Sequence, residues 1–177
     1  MNIIAICASP RRGNTEYILK KLLTKAELLG AKTELVLLRE KRIDYCNGCF
    51  ECEKSGKCSV HDPMQEIYLR LESNDVIIFA GPNYFDNVTG LMKNFIDRLL
   101  PYCTNKKLDG KKMVVIGVGE MGSNLANKVN DKYNVLTESL GLVPFGDMYF
   151  KAREADDVEK DPTGAERIEN FCKSIVG

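Results

Sequence analysis

The chain has 177 residues, 44% of them hydrophobic, which is enough to close one apolar core and too few for two comfortable ones. Its 25 Lys and Arg balance 25 Asp and Glu, so it has no net field of the kind that draws a protein to nucleic acid or an anionic membrane. The apolar runs are short, none near the ~20 residues of a membrane span, and Met1 leads straight into one of them without a signal-peptide pattern; a cytoplasmic protein is expected.

In chain order, Asn2–Cys7 is a continuous apolar run, suited to a strand buried on both faces of a parallel sheet. Ala8–Thr15 (ASPRRGNT) reads as a turn. A helix follows, with Ile18, Leu19, Leu22, Leu23, Ala26 and Leu29 at helical spacing and Gly30 closing it. Lys32–Leu38 predicts a second strand, and residues 43–61 form an irregular stretch that holds four cysteines. Asp62-Pro63-Met64-Gln65 opens the next helix with an acceptor at N-cap, Pro at N1 and Gln at N3. After Ser73-Asn74-Asp75 come a third strand, Val76–Ala80, and a loop, Gly81–Val88. Leu91, Met92, Phe95, Ile96, Leu99 and Leu100 mark a helix stopped by Pro101. Lys112–Gly117 is a fourth strand, Gly119–Ser123 a glycine-bearing loop, Leu125–Leu140 a helix ended at Gly141, and Gly146–Phe150 a weaker fifth strand. Lys151–Lys160 reads as a solvated charged loop, and Asp161-Pro162 caps a last helix carrying Ile168, Phe171, Cys172 and Ile175.

Strands alternating with helices predict an α/β fold: one domain over 1–177, built on a doubly wound five-stranded parallel sheet with a cysteine-rich insertion after strand 2. In such sheets ligands bind beyond the carboxyl ends of the strands, where strand order switches. The loops after strands one, three and four lie there.

The first loop, Ser9-Pro-Arg-Arg-Gly-Asn-Thr15, runs from a strand into a helix N-terminus, where unpaired N–H groups and the helix dipole favour an anion. Ser9 and Thr15 add hydroxyls, Asn14 an amide, and Arg11 or Arg12 a charge; Gly13 lets the backbone turn close to the ligand. Neither G-x-G-x-x-G nor a Walker Lys-Ser/Thr pair is present, so a monophosphate such as that of FMN suits better than a pyrophosphate. The third-strand loop places Pro82, Asn83, Tyr84 and Phe85 together, an aromatic pair on a proline-stiffened turn that can face a flat ring. Gly117, Gly119 and Gly122 permit close approach from a third side.

Taken together, ASPRRGNT at 8–15, GPNY at 81–84 and LMKNFIDR at 91–98 resemble the family of NAD(P)H-dependent FMN reductases, over nearly the whole chain. The resemblance implies a flavodoxin-like fold. It implies an FMN phosphate at Ser9, Arg11, Asn14 and Thr15, the ring at Pro82, Asn83, Tyr84 and Phe85, and a third contact at Gly119, Met121 and Gly122. It also implies a homodimer or homotetramer with the Val88–Leu100 helix in the interface. FMN would be the reactive group, and no protein side chain is assigned a catalytic role.

Seven cysteines are unusual in a chain expected in a reducing compartment, and four fall within thirteen residues as Cys46-x-x-Cys49-x-x-Cys52-x5-Cys58. Cysteines three apart can wrap one loop around several corners of an iron-sulfur cube. Zinc is the weaker reading, because structural zinc sites pair two well-separated knuckles; four unligated thiols would need another reason to cluster. Within the broader family the spacing is similar to the iron-sulfur flavoproteins, which implies a 4Fe-4S cluster on Cys46, Cys49, Cys52 and Cys58. The loop after strand four lacks the paired glycines of cluster-bearing members. His61 is given no role, and Cys7, Cys103 and Cys172 read as small buried hydrophobes. The expected function is an FMN oxidoreductase passing electrons between FMN and the cluster, with a ferredoxin-like protein or NAD(P)H as partner. The alternatives are a cluster-free NAD(P)H-dependent FMN or quinone reductase, and a zinc-clamped binding module without redox activity.

Overall fold

The computed structural model describes residues 1–120 and 124–177, with 124–130 described by backbone alone. Five strands, β1 (Asn2–Cys7), β2 (Lys32–Leu37), β3 (Val76–Pro82), β4 (Lys112–Gly119) and β5 (Val143–Lys151), form one parallel sheet in the order β2-β1-β3-β4-β5. Helices α1 (Asn14–Leu28) and α8 (Gly164–Val176) cover one face. Helices α3 (Met64–Ser73), α4 (Gly90–Asp97), α5 (Pro101–Asn105) and α6 (Asn124–Leu140) cover the other. Two short helices, α2 (Glu51–Ser55) and α7 (Asp157–Lys160), sit in the long connections after β2 and β5.

The apolar alternation along the central strands explains the two layers. Ile4, Ile6, Ile77 and Phe79 pack with Met92, Phe95, Leu99 and Tyr133 on one side, and the Phe79 ring lies 5.6 Å from that of Tyr133. Ile3, Ala5, Ile78 and Val114 pack with Ile18, Leu22, Ile168 and Cys172 on the other. Fully burying one such aliphatic side chain contributes roughly 1.5–3 kcal/mol. Cys7 and Cys172 are wholly buried, as expected of small hydrophobes, whereas Cys103 is half-buried. No helix among the described residues is long and apolar enough to cross a membrane.

Several boundaries depart from the periodicity. The helix read through to Leu100 ends at Asp97, and Pro101 restarts the chain at the first turn of α5, where a missing N–H costs nothing. Strand β4 runs on to Gly119, so Gly117 and Gly119 are strand residues. Strand β5 starts at Val143, whose N–H donates to Lys111 O (2.9 Å); its first three residues are exposed, which weakens the apolar signal there. The segment read as a solvated charged loop contains α7, whose Val158 is buried.

Candidate functional site

Strand order reverses between β1 and β3, and the carboxyl ends there are locked level with one another. Ala8 N–H donates to Ala80 O (2.8 Å), Asn83 N–H to Val118 O (2.7 Å) and Ala152 N–H to Gly119 O (2.9 Å). Above them lies a cavity of about 230 Å³ lined by Ser9, Arg11, Gly13, Asn14, Thr15, Pro82, Asn83, Tyr84, Val118, Gly119, Glu120, Ala152 and Arg153. Nine residues picked from the sequence thus meet in one place. Arg12 is exposed and stands outside the lining, as does Phe85, which is 105% exposed. Met121 and Gly122 fall outside the described residues.

Each wall follows from local sequence. The first hydrogen bond within α1 is from Tyr17 N–H to Gly13 O (3.0 Å), so the N–H groups of the first turn are outside the helix's own ladder and free for an anion. The Ser9 hydroxyl donates to Arg11 O (2.7 Å), closing the loop on itself. Asn14 does not reach toward the cavity centre: its Nδ2 donates to Glu154 O (2.6 Å) and its Oδ1 accepts from Val158 N–H (3.0 Å). The amide is a clasp that ties the first loop to the connection after β5. Arg11 joins it by donating to Arg153 O (3.2 Å), and a Cβ at Gly13 would lie 3.1 Å from Ala155 O.

On the β3 side, Tyr84 N–H donates to Asn87 O (2.9 Å) and Asn87 N–H to Tyr84 O (3.1 Å), closing a two-residue turn in which Phe85 (φ 53°) and Asp86 (φ 57°) are both left-handed. Such a turn favours Asn or Gly, and two side-chain-bearing residues there store strain. It carries Tyr84, 47% exposed, to the cavity rim. Asn83 Oδ1 is buried beside the Tyr149 hydroxyl, and neither atom makes a hydrogen bond of good geometry among the described residues. The two glycines of β4 make room for Tyr149, since a Cβ at Gly117 would come 2.7 Å from its ring, and Gly119 also lines the cavity. Arg153, paired with Glu120 (3.1 Å), is the residue that sequence reasoning missed. The signal was available: the loop after β5 is also a carboxyl-end loop.

A second, smaller cavity of about 20 Å³ lies in the segment after β2, and all four clustered cysteines line it, with Ser59, Asp97, Arg98 and Leu100 among the other walls. Cys52 is buried, Cys58 half-buried, Cys46 and Cys49 exposed. Burial pushes the Cys52 thiol up, and the nearby Cys58, Cys46 and Cys49 push it the same way against its own backbone N–H. Ser59 Oγ lies 3.4 Å from Cys49 Sγ, and with the Glu51 N–H it holds the Cys49 thiol below its ordinary value. The thiols share a wall, yet among the described residues no group of three His, Cys, Asp or Glu side chains converges tightly enough to hold a metal ion. The cavity has room for about one water, so a four-iron cube enters only if the loop opens. The all-thiol donor set is what such a cube takes.

The loop is held from three helices. Arg98 Nη1 pairs with Asp62 Oδ2 at 2.6 Å, both side chains 4% exposed or less, and also donates to Asp44 O (2.7 Å). Asp62 accepts from the N–H groups of Asp44 and Met64 (2.9 Å each), the second being the helix cap expected at α3. Desolvation raises the Asp62 carboxyl, but Arg98 and those two N–H groups outweigh it and leave it below the usual carboxylate range. Gln65, expected to close a capping box, instead donates to Val60 O (2.7 Å) and Cys58 O (3.2 Å). Asn94 reaches Ile43 O (2.9 Å) from α4, and Asn105 reaches Gly56 O (2.7 Å) from α5. His61 is exposed.

Comparison with known proteins agrees with this layout. The family described as NADPH-dependent FMN reductase matches residues 1–157. An iron-sulfur flavoprotein of Archaeoglobus fulgidus is 37% identical over 82% of this chain and 66% of its own length. One of Methanosarcina thermophila is 28% identical over 99% of this chain and 93% of its own. Against several other relatives of that name the match spans only 45–62% of their length. Among solved structures, an FMN-dependent NADH-azoreductase from Bacillus anthracis in complex with FMN superposes with a TM-score of 0.70, at 13% identity and with both chains fully covered; it shows the flavodoxin-like fold. By sequence and by fold, the chain belongs to the NADPH-dependent FMN reductase family.

Proposed function

We propose that this chain is an FMN-dependent oxidoreductase of the iron-sulfur flavoprotein kind, a single flavodoxin-like domain over 1–177 that holds FMN in the β1–β3–β4 cavity and a 4Fe-4S cluster on Cys46, Cys49, Cys52 and Cys58. The observation that carries the reading is the pairing of two cavities: an anion-ready loop facing a polar, aromatic wall, and a separate pocket walled by four thiols. Bound FMN would supply hydride and single-electron chemistry, and the cluster one-electron transfer.

The chain's own residues bind and orient. The first-turn N–H groups of α1, Ser9 and Thr15 hold the phosphate with Arg11 as counter-charge, and Arg153 closes the cavity from the β5 side. Pro82, Asn83 and Tyr84 wall the ring, with the unpartnered Asn83 Oδ1 available to accept from one of its N–H groups. No side chain takes a covalent role. The electron partner is a ferredoxin-like protein or NAD(P)H. The protein works in the cytoplasm as a homodimer or homotetramer through the Val88–Leu100 face. In support, an apolar groove of about 410 Å³ lies beside α4, lined by Phe50, Ile96, Leu100, Cys103 and Val135 among others.

The test is purification without oxygen, followed by the visible spectrum and assays of iron, sulfide, zinc and released flavin. About four irons per chain with one FMN is the expected result, and Cys49→Ser should lose iron while keeping FMN. FMN without iron leaves a plain NAD(P)H-dependent reductase. A colourless protein that refuses FMN and carries zinc overturns the redox reading.

A further inference from the structure

Arg98 is the largest fully buried side chain among the described residues. Its two terminal nitrogens are accounted for: Nη1 by Asp62 Oδ2 and Asp44 O, Nη2 by Asp62 Oδ1 (3.2 Å) and Val60 O (3.5 Å). Its Nε is buried with no hydrogen-bond partner among the described residues. A buried N–H of a charged group left without an acceptor is destabilising and calls for an explanation such as a missing partner. Arg98 also lines the cavity walled by the four cysteines.

We propose that Arg98 is a positioning residue for the cysteine-held cluster, its Nε–H donating to a sulfur of that centre and thereby raising the centre's reduction potential. The inference rests on the cluster reading above and concerns what the chain does to the cluster once it is bound. In the step concerned, one electron enters the centre from an external reductant; no bond is made or broken and no proton moves. The added negative charge falls on iron and sulfur, and a donor that strengthens as the sulfurs become more electron-rich stabilises the reduced form. Asp62 is close by and is itself neutralised by the same guanidinium. Asp97, exposed on the cavity wall, and Glu51 beside Cys49 are the other acidic groups near the thiols; both are screened by solvent, whereas Arg98 is not.

The experiment is an EPR-monitored redox titration with dithionite on wild type, on the paired variant Asp62→Leu/Arg98→Met and on Arg98→Lys, each with iron and flavin counted and folding checked by circular dichroism. The paired variant removes one positive and one negative charge together, so it leaves the net charge unchanged and avoids stranding a buried ion. Expected, for the iron-loaded fraction of the paired variant, is at least a tenfold loss in the reduction equilibrium, a shift of about 59 mV to more negative potential for one electron. A folded, iron-loaded paired variant with the wild-type potential overturns the proposal and leaves the cluster standing. Should the paired variant fold without taking up iron, Arg98→Lys decides: it keeps a cation but has no Nε–H, and a lowered potential sustains the proposal while an unchanged one overturns it. Wild-type protein that takes up no iron overturns the cluster reading itself, and this inference with it.

Discussion

Replacing Asp62 with Asn strands the Arg98 guanidinium in the protein interior while keeping the shape of the side chain. The pair is 2.6 Å apart, with Arg98 0% and Asp62 4% exposed at the side chain. An exposed pair of this kind contributes about 0–1 kcal/mol, but breaking one this buried costs about 3–5 kcal/mol. Against a total stability of roughly 5–15 kcal/mol that is a large share. With a urea slope of about 2 kcal/mol per molar, the unfolding midpoint should fall by about 2 M. The effect has a pH signature. Because the folded Asp62 carboxyl lies below its unfolded value, its stabilisation is fully present above the unfolded pKa of about 3.9 and disappears as pH falls through the lower folded value. The gap between wild type and Asp62→Asn should therefore be full at pH 7 and close toward pH 3. Urea unfolding of the cofactor-free protein across that range measures it. A loss under about 1 kcal/mol at neutral pH, or a gap that does not narrow in acid, would refute the argument that this ion pair is the anchor of the cysteine loop.

Three further outcomes follow from the geometry. Gly13→Val sets a side chain 3.1 Å or less from Ala155 O and should cost about 1–3 kcal/mol while weakening FMN binding at least about tenfold (1.4 kcal/mol); flavin-fluorescence titration gives the affinity, and an unchanged value counts against a phosphate at this loop. Tyr149→Phe removes a buried hydroxyl with no good hydrogen bond, so the cofactor-free protein should gain about 1 kcal/mol in thermal or urea unfolding. Phe85→Gly relieves a left-handed residue at φ 53°, for a gain of about 1 kcal/mol and a Tm rise of about 2–4 °C; a fall in Tm would show that the turn is not strained.

The strand-helix alternation was legible because its periods are strong: Asn2–Cys7 and Val76–Ala80 carry unbroken apolar runs, and both are fully buried apart from Asn2. The first and third loops were legible for a physical reason too, since turn residues between a buried strand and a helix can only lie at the sheet's carboxyl edge. What the sequence concealed are long-range partners. Nothing local says that the amide of Asn14 is taken by residues 140 and 144 positions away, or that the glycines at 117 and 119 yield space to Tyr149. Gln65 was read as a local cap because it stands three residues after Asp62, yet carbonyls of the cysteine loop compete for it and win. Arg153 was lost in a run of charges that looked solvated, while the backbone of that run clasps the first loop.

Helix α4 stands between the first loop and the cysteine loop. At its start the Thr89 hydroxyl donates to Ala8 O (2.9 Å), at the root of the first loop, while Thr89 caps Met92 N–H (3.2 Å); just past its other end Arg98 grips the cysteine loop. Eight helical residues make a strut about 12 Å long with the first loop fastened at one tip and the cysteine loop at the other. Thermodynamic reciprocity then applies to cofactor loading: whatever ordering of α4 one group gains on binding, the other receives in equal measure. The coupling is therefore one number read from either side: the factor by which iron loading changes FMN affinity equals the factor by which FMN changes iron affinity, and Cys49→Ser, which keeps FMN, reads it from the flavin side.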